Sequence, residues 1–230
     1  MPGVSFYNLP AERVFSPSDL PNLDGWWKSD AGVTTVSNAV SVWADQSGNG
    51  KDWIQSNASN RPAYGSVQLN GIDVITADNI DDAMILTGSA TVSINTTCTV
   101  YMVCNAITTT FDTLMGSNGS ATGFAYPRSR TLLQSQNFSP GTTTDWMGAW
   151  RVYTINANGT TYVPYEARVA KIGNNISSTY VVRTLFCRRF TGGLLNPTGG
   201  NVAEIIIYNA NHDASTKAQV WDYLEAKWAL

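Results

Sequence analysis

The chain has 230 residues, a length that suits one large all-β domain and is enough to bury a sizeable core. Charged residues are only 13% and the net charge is −3, with no run of Lys or Arg, which argues against a nucleic-acid-binding surface. No apolar stretch approaches the ~18 residues of a membrane span. Polarity is carried by Thr, Ser, Asn and Gly, a composition that favours turns and exposed strands over helices.

The first 22 residues hold four of the nine prolines and little periodic pattern. They predict an extended arm carrying Phe6, Tyr7, Val14 and Phe15 as candidate docking residues. A segment of this kind buries too little within itself to fold alone. The surface it needs is a partner's or that of its own domain. No basic n-region followed by an apolar core is present, so the expectation is a chain made without a signal peptide.

From Leu23 onward, to residue 230, a single compact domain is expected. Short β-like runs at 40–43, 67–69, 98–105, 111–115, 150–155, 180–190 and 202–208 alternate with Gly, Asn, Asp and Ser turns. This spacing predicts an all-β sandwich or barrel. AEIIIY, 203–208, is almost continuously apolar and predicts a central strand covered on both faces. Only the end is helical: Ala218, Trp221, Leu224 and Trp228 recur at helical spacing, predicting a helix over about 214–228. Asp213 or Ser215 is placed to cap it, and Lys227 suits its C-terminus. Cys98, Cys104 and Cys187 make an odd count without metal-ligand spacing. On one strand Cys98 and Cys104 lie about 20 Å apart, too far for a disulfide, so three buried thiols are expected. Six Asn-x-Ser/Thr sequons read as chance products of the composition.

The stretch WADQSGNGKDW, 43–53, sets two aspartates, two glycines, an asparagine and a serine between two tryptophans. A Walker loop fails because Lys51 is followed by Asp52 and position 45 is Asp. An EF-hand loop is half filled by Asp45, Ser47, Asn49 and Gly50, but its twelfth position is Ser56, so the bidentate carboxylate is missing. Two readings stand. One is a looser calcium site built on Asp45, Asn49 and Asp52. The other is a tight turn, in which Gly48 and Gly50 take positive φ and the Asx side chains bond nearby backbone N–H groups.

Here the chain resembles a known family. VSVWADQSGNGKDWIQSNASNRPAY is similar to the opening signature of laminin-G-like, concanavalin A-like domains, a W-x-D-x-S-G-N-G turn followed by an R-P-x-Y element in which Arg61, Pro62 and Tyr64 stand. SDLPNLDGWWKSDAGV resembles the family's first strand, and GGNVAEIIIYNANHDASTKAQVWDYLEAKWAL its last strand and closing helix. Residues 17–65 and 200–230 match closely; 66–199 match only in style. The resemblance implies a concanavalin A-like jelly-roll sandwich of two antiparallel sheets with a C-terminal helix, and a structural role for the carboxylate of Glu204. Free-standing copies of this composition resemble virion proteins of tailed bacteriophages. That implies a virion-surface location after synthesis in the host cytoplasm, capsid or tail proteins as partners, and a homo-oligomer.

Glycanases of this fold set carboxylates on alternate residues of one strand, so that one protonates the leaving oxygen while the other attacks. The four glutamates here are Glu12, Glu166, Glu204 and Glu225, and none has an Asp two residues on. Asp78, Asp81 and Asp82 read as a loop cluster, and His212, the lone histidine, as a cap-region residue. These observations lead to the expectation that the chain is not an enzyme. Two functions remain: a virion structural component docked through the arm, and a lectin-like glycan-binding module using Trp53, Trp146 and Trp150 as aromatic platforms. No cofactor is expected beyond calcium in the 43–53 loop.

Overall fold

The computed structural model describes residues 13–88, 90–94, 97–106, 114–116, 149–159, 161–170, 174–175, 180–189 and 195–230. Their architecture is an all-β, concanavalin A-like sandwich closed by one C-terminal helix, Ala214–Trp228.

Two layers build the sandwich. In the first, antiparallel strands run in the spatial order Ala63–Leu69, Ile72–Asp78, Gly199–Tyr208, Thr97–Ala106, Arg151–Asn158 and Thr161–Glu166. In the second, the order is Ala39–Trp43, Trp53–Ile54, Met84–Leu86, Thr184–Leu185 and Met115–Gly116. The layers join where Ala39 pairs with Ala63, so hydrogen bonding is continuous from one to the other. Leu23–Lys28 pairs along Glu204–Tyr208, next to the place where Ile72–Asp78 pairs with Gly199–Val202.

Alternation along each strand decides which face it covers. On Thr97–Ala106, Val100, Met102 and Cys104 point between the layers, among Trp27, Trp43, Trp53, Met84, Tyr153 and Ile205. Tyr101 and Val103 point the other way, onto Val220, Trp221, Leu224 and Trp228 of the helix. The central strand Gly199–Tyr208 lies between these two cores, and all ten of its residues are buried, as its unbroken apolar run predicts.

The helix occupies the span read from its spacing. Asp213 caps it by accepting from the Thr216 N–H at 2.7 Å. The three cysteines are free and buried. Burial pushes the Cys98 thiol up to about 12 and raises that of Cys104 further.

The structure departs from the sequence reading at three places. The run 180–190 is three short strands, Tyr180–Val182, Thr184–Leu185 and Cys187–Arg189. It breaks at Phe186, whose φ of 63° turns the chain so that its N–H meets Leu114 O and its carbonyl accepts from Thr198. Thr161–Glu166 is a strand despite Pro164, which sits opposite Ile155. Contacts with the sandwich and helix are made before Leu23. Phe15 stacks edge-on against Tyr223 at 6.1 Å, Pro17 is buried and its carbonyl accepts from the Tyr208 hydroxyl at 2.8 Å, and Leu20 packs on the helix-side core.

Candidate functional site

The 43–53 loop is a turn whose carboxylate is already fully engaged. Asp45 Oδ1 accepts from the N–H groups of Trp26 (3.0 Å) and Ser47 (2.9 Å). Its Oδ2 accepts from the Ser47 hydroxyl (2.7 Å) and the Lys51 N–H (3.1 Å). Four donors fill the roughly four lone-pair positions of a carboxylate. Asp52 Oδ1 accepts from Asp45 N, and the Asn49 amide donates to the carbonyls of Leu23 and Asp24. Gly48 and Gly50 take φ of 86° and 67°. The loop therefore staples the first strand to the second layer, and Lys51 adds an ion pair to Asp24 at 2.6 Å. Of the two readings left open by the sequence, the turn accounts for these oxygens. Asp45 bonds the nearby N–H groups of Ser47 and Lys51 as the turn reading expects, and what the sequence did not suggest is its reach to the Trp26 N–H, 19 residues away.

The acidic group that could hold a cation lies elsewhere. Carboxylate oxygens of Asp78, Asp81 and Asp82 lie within 4.8 Å of one another. Asp82 is buried and accepts from the Asp78 N–H at 2.9 Å. Burial, with its acidic neighbours, raises its pKa to about 6. The Asp78 carboxylate is turned to its own loop, accepting from Ile80 N at 2.8 Å.

The three aromatic candidates separate. Trp53 has no exposed surface: it pairs with Trp43 across the second layer and packs 5.5 Å from Trp27. As a core residue it offers no face to a sugar, which corrects the expectation of a platform there. Trp146 lies outside the described residues. Trp150 is partly exposed and rests on the edge of the helix-side core. Among the docking candidates, Phe6 and Tyr7 lie outside the described residues and Val14 is 86% exposed. Phe15 is used by its own domain, against Tyr223, which corrects its assignment to a partner.

Glu204 has the structural role that the resemblance implies. It is fully buried on the central strand and accepts from Trp26 Nε1 (2.6 Å), Tyr223 Oη (2.9 Å), Trp228 Nε1 (2.8 Å) and Lys227 Nζ (2.8 Å). His212 is also buried. Its Nδ1 meets the Tyr101 hydroxyl at 2.9 Å, and burial lowers its pKa to about 4. Its backbone is held by Thr99 and Asn156, so it locks the turn into the helix.

No family model matches the chain, and no curated protein matches it. Solved structures do. Trypanosoma rangeli sialidase in complex with sialic acid is 11% identical with a TM-score of 0.61, covering 90% of this chain and 33% of the sialidase. Domain 4 of AbnA, a GH43 extracellular arabinanase from Geobacillus stearothermophilus, in complex with arabinotriose, is 15% identical with a TM-score of 0.56, covering 87% of this chain and 97% of that domain. A mutant of HCR/D is 13% identical with a TM-score of 0.58, covering 90% and 52%. The chain thus spans about a third of the sialidase chains that it matches. At such identities the likeness establishes the β-sandwich fold. It also corrects the expectation that the chain is not an enzyme, because chains titled as sialidases and a domain of an arabinanase share this fold. The missing E-x-D-x-x-E pattern speaks only to one glycanase design, and other enzymes carry the same sandwich.

Proposed function

We propose that this sandwich is a carbohydrate-binding module. The observation that carries the reading is the match over nearly the whole of both chains to an arabinanase domain solved with arabinotriose. Fold likeness alone does not transfer a ligand. The chain adds a second support of its own, a composition rich in Thr and Asn with a partly exposed tryptophan at Trp150. A flat ring and neutral amides suit a sugar, which presents an apolar C–H face and a rim of hydroxyls. Screening the purified chain on an array of immobilised glycans tests this. Retention of at least one glycan class, with competition by the free sugar, is the expected result; a blank array overturns it.

A second reading places the module on a bacteriophage particle, with capsid or tail proteins as partners. It rests on the resemblance of a free-standing laminin-G-like domain rich in Thr and Asn to virion proteins of tailed bacteriophages, and it is compatible with glycan binding. Mass spectrometry of purified particles, asking for this chain and its copy number, decides it.

A further inference from the structure

The helix-side face of the first layer carries a row of neutral polar side chains just past the anchor of the helix. Trp228 is tied to Glu204, which pairs with Val103. Two residues further along that strand, about 7 Å away, is Asn105. Its register partner is Asn201, and the register partner of Asn201 on the next strand is Thr76. Trp150 stands one position before Arg151, which pairs with Cys104, so it extends the row beside Asn105. Alternation sets the face: Tyr101 and Val103, Val74, and Val152 all pack toward the helix, as does Trp150 itself. Thr76, Asn201, Asn105 and Trp150 therefore cross four adjacent strands, a span of about 14 Å.

The hydrogen bonding of this row is incomplete. Thr76 donates to Asn201 Oδ1 at 2.9 Å. Asn105 Oδ1 is buried without a partner among the described residues. Among the described residues no group bonds the Asn105 amide, and none bonds the Asn201 amide nitrogen. A buried polar atom left unpaired costs stability and calls for a reason. Rotation of the half-buried Asn105 amide exchanges which end faces outward.

We infer that Thr76, Asn201, Asn105 and Trp150 form a binding subsite for a neutral oligosaccharide. This rests on the carbohydrate-binding reading above and specifies where the sugar lies and of what kind it is. The indole of Trp150 stacks on the apolar face of a ring. The two amides, each able to donate and accept, pair with vicinal hydroxyls, and the Thr76 hydroxyl closes the far end. The sugar is neutral because the row holds no cation. Among the described residues the charges beside the row are already engaged: Lys227 is tied to Glu204 and Asp30, Lys28 lies over the Trp26 ring, and Arg151 belongs to the opposite face by alternation and pairs with Glu166 at 3.0 Å. An acidic sugar would leave its carboxylate without a charged partner.

Calorimetric titration of the whole chain with arabinotriose and a panel of other neutral oligosaccharides, with sialyllactose as the anionic probe, tests the assignment. The wild type binds at least one neutral probe and not sialyllactose. Trp150→Ala weakens that binding roughly tenfold or more, as for an aromatic anchor, whereas Trp150→Phe keeps most of it. Asn105→Ala also weakens it, yet its melting temperature equals or exceeds the wild type's, because an unpaired buried atom has been removed. Several results overturn the subsite. If a neutral glycan binds wild type, Trp150→Ala and Asn105→Ala alike, the module reading survives and this location fails. Binding of sialyllactose alone refutes the neutral class. A clear fall in the melting temperature of Asn105→Ala assigns that residue to structure. If no probe binds, the subsite and the module reading fall together.

Discussion

Trp228 donates its indole N–H to Glu204 Oε2 at 2.8 Å, and both residues are fully buried. This bond ties the last turn of the helix to the central strand. Trp26, Tyr223 and Lys227 donate to the same carboxylate, and Lys227 also reaches Asp30 at 2.8 Å. Glu204→Ala strands two buried indoles at once and takes from the partly buried Lys227 one of its two carboxylates. Losing one partner of a buried charge pair costs about 3–5 kcal/mol. Urea unfolding of the variant should show a loss of that order. Glu204→Gln should lose less, because one oxygen still accepts.

The 43–53 loop gives a prediction about backbone and another about metal. A Cβ at Gly48 or Gly50 meets nothing within 4 Å, so only the positive φ opposes a side chain. Gly48→Val and Gly50→Val should each cost about 1 kcal/mol or somewhat more. Gly25 is different, because a Cβ there would lie 2.2 Å from the Trp27 ring, so Gly25→Ala should cost more than either. Asp45→Ala removes four acceptor contacts. Its loss of melting temperature should be the same in chelator as in calcium. A loss seen only with calcium present would restore the ion reading.

Two buried groups give opposite pH dependences. Burial lowers the pKa of His212 from 6.5 to about 4. Between those values the unfolded chain binds the extra proton, so its contribution is complete above about 6.5 and is lost as the pH falls toward 4. Burial raises Asp82 from 3.8 to about 6, so there the folded state binds the extra proton. That contribution is complete below 3.8 and is lost as the pH rises through 6. Wild-type stability should therefore vary little between pH 4.5 and 6. Asp82→Asn should expose a loss toward acid, and His212→Asn the reverse slope. Denaturant midpoints across that range check both, and parallel profiles for all three proteins would contradict the assignment.

Much of the fold could be read because its signals are local. The helix repeats its apolar residues at one spacing, and Asp213 stands where a cap belongs. The buried central strand shows as an unbroken apolar run. The exposure of a tryptophan is not a local property. Trp53 follows a polar turn, yet it is buried because the loop folds it back opposite Trp43. The break at Phe186 depends on contacts with Leu114 and Thr198, far apart in the chain. The Thr76, Asn201, Asn105 and Trp150 row was equally hidden, since only sheet register brings those four together. Trp150 alone was visible beforehand, by its residue type.

Residues 15–20 are bound to their own domain, which sets what truncation should do. Phe15 packs on Tyr223, whose hydroxyl belongs to the Glu204 cluster. The Pro17 carbonyl receives the buried Tyr208 hydroxyl, and Leu20 adds apolar contact to the same core. Removing residues 2–20 uncovers that surface and leaves the Tyr208 hydroxyl without its acceptor. Burial of two partly covered side chains, with one buried hydrogen bond, is worth about 3–5 kcal/mol. The truncated chain should therefore melt clearly below the wild type. Phe15→Ala alone should reproduce part of the fall, about 1–2 kcal/mol, since the ring is only half covered. An unchanged melting temperature in both variants would mean that these contacts contribute nothing, and would return the whole segment to the service of a partner.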